Sequence, residues 1–254
     1  MQCRIEVTPD PEQAAERAAS LVARVLAGAI AERGWASLAL AGGKTPRPLY
    51  ERLARTPYRE AVLWEHVEWF WGDERAVPPD HPESNYRLAA ETVLSRLPIS
   101  AERIHRVPTE LGPEEAALAY ERTIRAVFRT SISVPRFDLV LLGLGSDGHI
   151  ASLFPHTAAL HETHRLVVAN SVPRLGTVRI TLTPPVIRAA RTILVLVTGR
   201  EKAPAVHRAL EDPLDPEDVP AHILATAEGT VVWTLDEAAA SDLSVRSGPC
   251  PERA

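Results

Sequence analysis

The sequence has few cysteines, almost no lysine and no long apolar run. Its apolar runs, such as residues 193–197, fall far short of the ~18 residues that a membrane-spanning helix needs. Near the start of the chain, Arg4 and Glu6 interrupt any segment that could form the apolar core of a signal peptide. We therefore expect neither a membrane span nor a leader, and we expect a cytoplasmic protein.

The two cysteines, Cys3 and Cys250, lie near opposite ends of the chain, outside any CxxC or metal-ligand spacing. This use of cysteine excludes a disulfide scaffold and is typical of a protein in a reducing compartment.

The charge balance excludes polyanions as partners. The chain of 254 residues has 28 Lys and Arg against 33 Asp and Glu, a net charge of −5. Nothing in this balance attracts nucleic acid or a membrane surface, so local positive charge must hold any anionic ligand. The chain is also long enough, and with 45% apolar residues apolar enough, to bury a sizeable core.

Only two of the 28 basic residues are lysines, Lys44 and Lys202. Each follows an apolar, strand-like run and lies in a glycine-containing turn, at residues 42–46 and 199–202. A compact ammonium on a flexible stem suits a phosphate that is held as a point charge beside backbone donors. A chance placement of the two lysines is the alternative.

Helical and strand patterns alternate along almost the whole chain. Residues 11–33 have apolar side chains at the three-and-four spacing of an amphipathic helix, which ends at Gly34. Seven apolar runs, mostly continuous, predict strands that are buried on both faces. The predicted strands are 37–41, 67–71, 137–142, 166–169, 178–182, 192–198 and 230–235, and the further helices are 48–54, 84–96, 113–129 and 202–210.

This alternation favours parallel strands joined by right-handed crossovers. The sequence therefore predicts an α/β fold, a mostly parallel sheet flanked by helices, in one domain over residues 1–240. Segments 77–84 and 211–220 are polar and rich in proline, which predicts surface loops. Residues 241–254 lack apolar periodicity, and we expect them to form a mobile tail.

Ligands of open parallel sheets bind beyond the carboxyl ends of the strands. Four polar turns follow predicted strands and would share that edge, at residues 42–46, 72–75, 143–149 and 199–202. In the first, Gly42 and Gly43 allow the backbone to approach an anion, and Thr45 offers a hydroxyl at a helix start. This pattern resembles a phosphate cradle, with Arg179 and Lys202 as candidate partners. It lacks the spacing of a nucleotide P-loop, and an ordinary tight turn is the alternative.

The third turn matches GxGxxG over residues 143–148. It lies in mid-chain without an acidic strand end at the required distance, which disfavours a dinucleotide site. Asp147 and His149 instead stand two residues apart in a turn that needs glycine, a pairing used for general base catalysis. An unperturbed histidine would lose this activity as the pH falls through ~6.5. A structural histidine is the alternative.

Two other chemistries are disfavoured by spacing. The histidines at 149, 156, 161 and 164 match neither HExxH nor a zinc finger, so we expect no metal, and nothing indicates another cofactor. Ser146 is not the centre of a GxSxG elbow, which disfavours a serine hydrolase.

The second turn, with Asp73 and Arg75, either joins the site or is a solvated turn with a surface ion pair.

Taken together, these motifs resemble the 6-phosphogluconolactonase family. The matching segments are AGGKTP (41–46), FWGDER (70–75), HPESNY (81–86), FDLVLLGLGSDGHIASLFP (137–155), RITLT (179–183), GREK (199–202) and WTLD (233–236). The resemblance implies the Rossmann-like α/β fold of the glucosamine-6-phosphate deaminases and the ribose-5-phosphate isomerase relatives. It also implies hydrolysis of 6-phosphoglucono-δ-lactone, a small phosphorylated sugar lactone of the pentose phosphate pathway, by a monomer or small homo-oligomer.

The resemblance also implies roles for individual residues. His149 would activate water, Asp147 would orient the water or the imidazole, and Arg75 would contact the sugar or stabilise the oxyanion. The residues that would hold the phosphate are Gly42, Gly43, Thr45, Arg179 and Lys202. Asp73 and Asn85 would line the sugar site. Two positions depart from the family pattern: Lys44, beside the phosphate, occupies a variable position, and His156 stands where glycine is expected.

Two other functions compete with lactone hydrolysis. A sugar-phosphate deaminase or isomerase would need a further acid-base group, and after Ser152 the chain has no acid until Glu162. A non-catalytic sugar-phosphate sensor would need a DNA-binding or partner domain, for which the predicted elements leave no length.

Overall fold

Ten strands form two sheets in the computed structural model, which describes residues 2–245 and 247–251. The strands are β1 (Gln2–Thr8), β2 (Ala36–Leu40), β3 (Val67–Trp71), β4 (Asp73–Arg75), β5 (Leu139–Leu142), β6 (Val167–Val172), β7 (Thr177–Leu182), β8 (Thr192–Val197), β9 (Thr230–Asp236) and β10 (Gly248–Pro249). The α-helices are α1 (Pro11–Arg33), α2 (Arg47–Leu53), α3 (Tyr58–Ala61), α4 (Asn85–Thr92), α5 (Pro113–Val127), α6 (Pro184–Ala189) and α7 (Ala203–Glu211).

The larger sheet has the strand order β10-β1-β9-β8-β5-β2-β3, and all of its pairs except β10–β1 are parallel. Side chains alternate between its faces, so Leu139 and Leu141 belong to one apolar cluster, and Val140 and Leu142 to the other. Helices α1 and α2 cover the first face, and α5 and α7 cover the second. The predicted α/β fold, a mostly parallel sheet flanked by helices, is confirmed.

Helix α1 has the predicted bounds because its two ends are marked in the sequence. The Asp10 carboxylate accepts a hydrogen bond of 2.7 Å from the amide of Gln13, which satisfies one of the free donors of the first turn. Gly34 ends the helix at a φ of 81°, in the left-handed region that glycine tolerates. The buried face consists mostly of alanine, leucine and valine, and it packs on the larger sheet.

The prediction that segments 166–169 and 178–182 join the parallel sheet is wrong. Strands β6 and β7 form an antiparallel hairpin, and β4 pairs with β7 to make a separate three-stranded sheet. Only residues 173–176 link β6 to β7, whereas a parallel crossover needs a dozen or more residues. The smaller sheet is anchored to the larger one by a hydrogen bond of 2.8 Å from the Leu182 amide to the Gly72 carbonyl.

Cys3 and Cys250, which from the sequence are typical of a protein in a reducing compartment, are bonded, with their Cα atoms 5.3 Å apart. This single bond is not a disulfide scaffold, but it was not predicted. Beside this bond, β10 pairs with β1, and the Glu211 carboxylate accepts hydrogen bonds from the amide and hydroxyl of Ser244. These contacts attach a segment that the sequence predicts to be a mobile tail; residues 246 and 252–254 lie outside the described residues. Apolar periodicity does not report which distant segments become neighbours in space.

The disulfide is expected to stabilise the fold, because it joins residues separated by 247 positions and so restricts the unfolded chain. Native disulfides typically contribute about 2–4 kcal/mol, and we expect Cys250→Ser to lower the free energy of unfolding by that amount. Chemical denaturation of both proteins, with and without reductant, measures it. Wild type in reductant should match the variant; identical wild-type curves with and without reductant would contradict the prediction.

The described part of the chain contains no helix that is both long enough and apolar enough to cross a membrane.

Candidate functional site

The four predicted turns converge at the carboxyl edge of the larger sheet, where they enclose a cavity of about 340 Å³. This convergence follows from topology, because β2, β3, β5 and β8 are parallel and end on the same side. Among its lining residues are eight that the sequence singled out: Gly42, Gly43, Lys44, Thr45, Asp73, Arg75, His149 and Lys202. Asp147, Asn85 and Arg179 are not among the lining residues.

The turn after β5 is a closed loop that presents His149 to the cavity. The Gly145 amide donates to the His149 carbonyl (2.8 Å), and the Gly148 amide donates to the Gly145 carbonyl (3.0 Å). Gly148 has a φ of 87°, and a Cβ added there would press on Val219. A Cβ at Gly145 would overlap the His149 ring. Both glycines are therefore needed to place the imidazole.

Asp147 contacts the imidazole of His149. Its Oδ1 lies 2.5 Å from Nδ1 of His149 and also accepts a hydrogen bond of 3.2 Å from the His149 amide. The carboxylate favours the tautomer with the proton on Nδ1, which leaves Nε2 as the basic nitrogen. Of the two roles left open for Asp147, the contact favours orientation of the imidazole.

Burial is the main cause of a low pKa for His149. It lowers the pKa to about 4, and the positive charges of Lys202, Arg75 and Arg179 act in the same direction, while Asp73 opposes them. The value of ~6.5 for an unperturbed histidine, expected from the sequence, therefore does not hold here. His149 is neutral at physiological pH and able to accept a proton.

We expect the imidazole resonance of His149 to titrate with a midpoint near pH 4, because desolvation and three cations destabilise the protonated ring. NMR of histidine-labelled protein measures the midpoint, with His149→Gln to assign the resonance and circular dichroism to verify that the protein stays folded. A neutral imidazole is the form that can accept a proton, so any activity that depends on it should not decline between pH 8 and pH 6 through this group. A midpoint near 6.5 would contradict the prediction.

Three cations lie in or beside the cavity: Arg75 and Lys202 line it, and Arg179 is the cross-strand partner of Arg75. Arg75 on β4 stands directly opposite Arg179 on β7, and both burial and the Arg75 charge lower the pKa of Arg179. Like charges opposite each other on paired strands are destabilising, so this pair favours an anion beside it. Lys202 donates from Nζ to the Leu144 carbonyl at 2.8 Å and lines the same cavity. The arrangement suits a phosphate.

Asp73 and Asn85 are joined to each other rather than both facing the cavity. The Asn85 amide donates to the Asp73 carbonyl (2.8 Å) and to its carboxylate (3.3 Å), and the Ser152 hydroxyl donates to the other carboxylate oxygen (2.6 Å). A Cβ at Gly42 would overlap Asn85, so the first turn packs directly on this amide. Asn85 therefore supports the cavity wall from behind, and Asp73 reaches the cavity.

Sequence reasoning missed two carboxylates at the site. The buried side chain of Glu74 accepts hydrogen bonds from the amides of Arg75 (2.7 Å), Asn85 (2.8 Å) and Tyr86 (2.8 Å), and burial raises its pKa. These hydrogen bonds connect the start of α4 to β4. The only sequence pattern that could have indicated this role is the position of Glu74 beside Asp73 in the motif. Glu201 lines the cavity, and its signal was its place in the turn of Lys202.

Two other histidines of the cluster contact acidic side chains at the surface. His156 lies between Glu217 (3.4 Å) and Asp218 (2.9 Å), and His161 lies 3.1 Å from Glu217. Within the part of the chain that the structure describes, no group of three or more His, Cys, Asp or Glu residues is arranged to hold a metal ion. His156 has a φ of 58°, in the left-handed region that favours glycine, the residue that the resemblance implies at this position.

Comparison with known proteins gives consistent matches over nearly the whole chain. The model of a family described as glucosamine-6-phosphate isomerases/6-phosphogluconolactonase matches residues 9–233. A 6-phosphogluconolactonase from Synechocystis sp. is 41% identical over 245 residues, 96% of this chain and 99% of the relative.

Solved structures share the fold. A 6-phosphogluconolactonase from Trypanosoma cruzi is 30% identical, with a TM-score of 0.85 over 96% of this chain and 98% of that one. A monomeric glucosamine-6-phosphate deaminase is 24% identical, with a TM-score of 0.79 over 96% of this chain and 100% of that one. The deaminase shows a likeness of fold alone.

Proposed function

The chain belongs to the glucosamine-6-phosphate isomerase/6-phosphogluconolactonase family, and we propose that it hydrolyses 6-phosphoglucono-δ-lactone to 6-phosphogluconate, a step of the oxidative pentose phosphate pathway. The observation that carries the proposal is a histidine of low pKa that a carboxylate orients, at the wall of a cavity that Arg75 and Lys202 also line. Arg179 lies opposite Arg75 and adds a third positive charge near this histidine. Lactone hydrolysis needs this combination, namely a base for water and positive charge for a phosphate and an oxyanion.

In the proposed reaction, His149 acts twice. Its Nε2 takes a proton from water as the water oxygen attacks the lactone carbonyl carbon, and the carbonyl oxygen becomes an oxyanion. When the intermediate collapses, the bond between this carbon and the ring oxygen breaks, and the imidazolium returns the proton to the ring oxygen. Asp147 stabilises the imidazolium and holds the ring, while Arg75 stabilises the oxyanion. The direct product is an open-chain carboxylic acid, which loses its proton to water and becomes the carboxylate.

The phosphate of the substrate is held away from the reacting carbon. Lys202 and Arg179 supply charge, and Gly42, Gly43 and Thr45 supply backbone and hydroxyl donors from the first turn. Lys44 is exposed and lines both this cavity and a neighbouring one of about 440 Å³, so it contributes a screened charge at the entrance. Asp73 binds the sugar hydroxyls.

The proposed reaction requires no metal or other cofactor, because a lactone carbonyl is already electrophilic. A phosphorylated substrate also supports the proposed cytoplasmic location, because charged metabolites do not cross membranes and so remain in the cytoplasm. The cysteines do not contribute to that argument, because they are bonded. We further propose that the protein is a monomer or a small homo-oligomer and that its ligand is the phosphorylated sugar lactone.

A deaminase remains the competing function within this fold. Glu162 does not supply the acid that it would need, because its carboxylate accepts from the amides of His164 (2.6 Å) and Arg165 (2.9 Å) in an exposed loop. Asp73 and Glu201, however, do line the cavity. Deamination also requires a proton to move between adjacent carbons. It releases ammonia, whereas lactone hydrolysis does not, and so ammonia release separates the two functions.

The test compares the two reactions with one preparation of enzyme. We expect lactone hydrolysis well above the spontaneous rate, unchanged after exhaustive chelation, and no ammonia from glucosamine 6-phosphate. Ammonia release at a comparable rate would overturn the assignment in favour of a deaminase. Activity lost to a chelator and restored by zinc would instead show that the histidines hold a metal.

A further inference from the structure

Arg174 lies at the tip of the β6–β7 hairpin and reaches the candidate active site from outside the cavity. The hairpin turns through residues 173–175 and Gly176, whose φ of 59° suits glycine. The Arg174 side chain is half exposed, and its guanidinium forms an ion pair with Oδ2 of Asp147. Because Oδ1 of Asp147 contacts His149, the carboxylate lies between the guanidinium and the imidazole.

A second path of contacts joins the same residues through an aromatic ring. The guanidinium carbon of Arg174 lies 5.3 Å from the centre of the Phe154 ring, within the range of a cation–π contact. The buried Phe154 ring packs against the imidazole of His149, with the ring centres 4.1 Å apart. Arg174 therefore fixes both the carboxylate and the ring that define the position of the imidazole.

The charge of Arg174 bears on the basicity of His149. A carboxylate on Nδ1 stabilises the imidazolium, and a cation on the other carboxylate oxygen weakens that stabilisation. The other charges that act on His149 are those of Asp73, Arg75, Arg179 and Lys202, and Glu201 lines the same cavity. Arg174 differs from these groups because it pairs directly with Asp147.

We propose that Arg174 is a positioning residue for the proposed lactonase reaction: by pairing with Asp147 and covering Phe154, it orients the imidazole of His149 and limits its basicity. The proposal rests on the proposed function only for its kinetic part, because the geometry around the imidazole exists without substrate. It gives the antiparallel hairpin a role in catalysis, since its tip reaches the base while β7 brings Arg179 toward the phosphate end.

The test uses Arg174→Gln and Arg174→Lys. In Arg174→Gln, we expect the NMR titration midpoint of His149 to rise by about half a pH unit or more, kcat to fall about tenfold, and KM to stay within about twofold. Arg174→Lys keeps the positive charge, so its titration midpoint should return toward that of the wild type, with only part of kcat recovered. The free energy of unfolding should fall only slightly, because the Arg174 side chain is half exposed and solvent screens its charge.

Arg106→Gln is the matched control. Arg106 also pairs with a carboxylate and lies 5.8 Å from the centre of an aromatic ring, that of Tyr86. Its partner is Glu110, however, and not Asp147, the carboxylate that contacts His149. Loss of Arg106 should leave the His149 titration and kcat unchanged. An unchanged midpoint together with a kcat within twofold of wild type in Arg174→Gln would overturn the proposal. A shifted midpoint in a protein that does not hydrolyse the lactone would uphold the positioning role and refute the proposed function.

Discussion

Replacement of His149 by glutamine is expected to lower kcat by a factor of about 100 to 10,000 and to leave KM within about threefold. Glutamine preserves much of the shape and polarity of the side chain, and its amide can still contact Asp147. It cannot take a proton from water, which is the step assigned to Nε2. Initial rates of lactone hydrolysis, corrected for the spontaneous reaction, measure both constants.

His156→Gln is the control for this experiment, because His156 is a surface histidine that pairs with acidic residues and does not line the cavity. It should retain full activity. If His149→Gln kept the wild-type kcat, another group would have to be the base. The variant should stay folded, since the glycines of the turn, and not the imidazole, determine the loop geometry.

The second large effect is expected for Lys202→Ala. Loss of one partner from a desolvated charge pair typically costs about 2–5 kcal/mol, which corresponds to a fall of at least about 30-fold in kcat/KM for the phosphorylated lactone. Unphosphorylated gluconolactone lacks the group that Lys202 binds, so any residual activity on it should hardly change. The ratio of the two values of kcat/KM is the measurement.

Lys202 also donates to the Leu144 carbonyl, and so a structural role must be separated from phosphate binding. A structural role would lower activity on both substrates equally, and that outcome would contradict the prediction. Lys44→Ala provides the comparison, because Lys44 lines the same cavity but is exposed. Its effect should be much smaller and should diminish with added salt.

Local patterns in the sequence predicted most of the longer elements and the edge at which the candidate site lies, but they did not predict β1 or α6. Helix α1 and strand β3 have the predicted bounds, because apolar spacing and end signals such as Gly34 act over a few residues. The rule for the carboxyl edge of a parallel sheet then brought Gly42, Asp73 and His149 together without any knowledge of distances. Their proposed roles remain to be tested by the variants above.

Features that depend on distant contacts were not predicted. The pairing of β4 with β7 joins segments about a hundred residues apart, and neither segment carries a signal for its partner. The contacts of Glu74 with three backbone amides and of Arg174 with Asp147 likewise arise only when loops meet. The cysteine count and spacing did not predict the bond between Cys3 and Cys250. The two residues are far apart in the sequence, but the pairing of β1 with β10 brings them together.

The bond between Cys3 and Cys250 converts nearly the whole polypeptide into a covalent ring. A single cut in an exposed loop, such as that around Ile132, whose side chain is 94% exposed, would open the ring without separating two pieces. The same proximity of the two ends makes the fold a candidate for circular permutation, in which new termini open at that loop and the old ones are joined. In such a permuted protein, the order of the elements along the chain would change while the site edge kept its four turns.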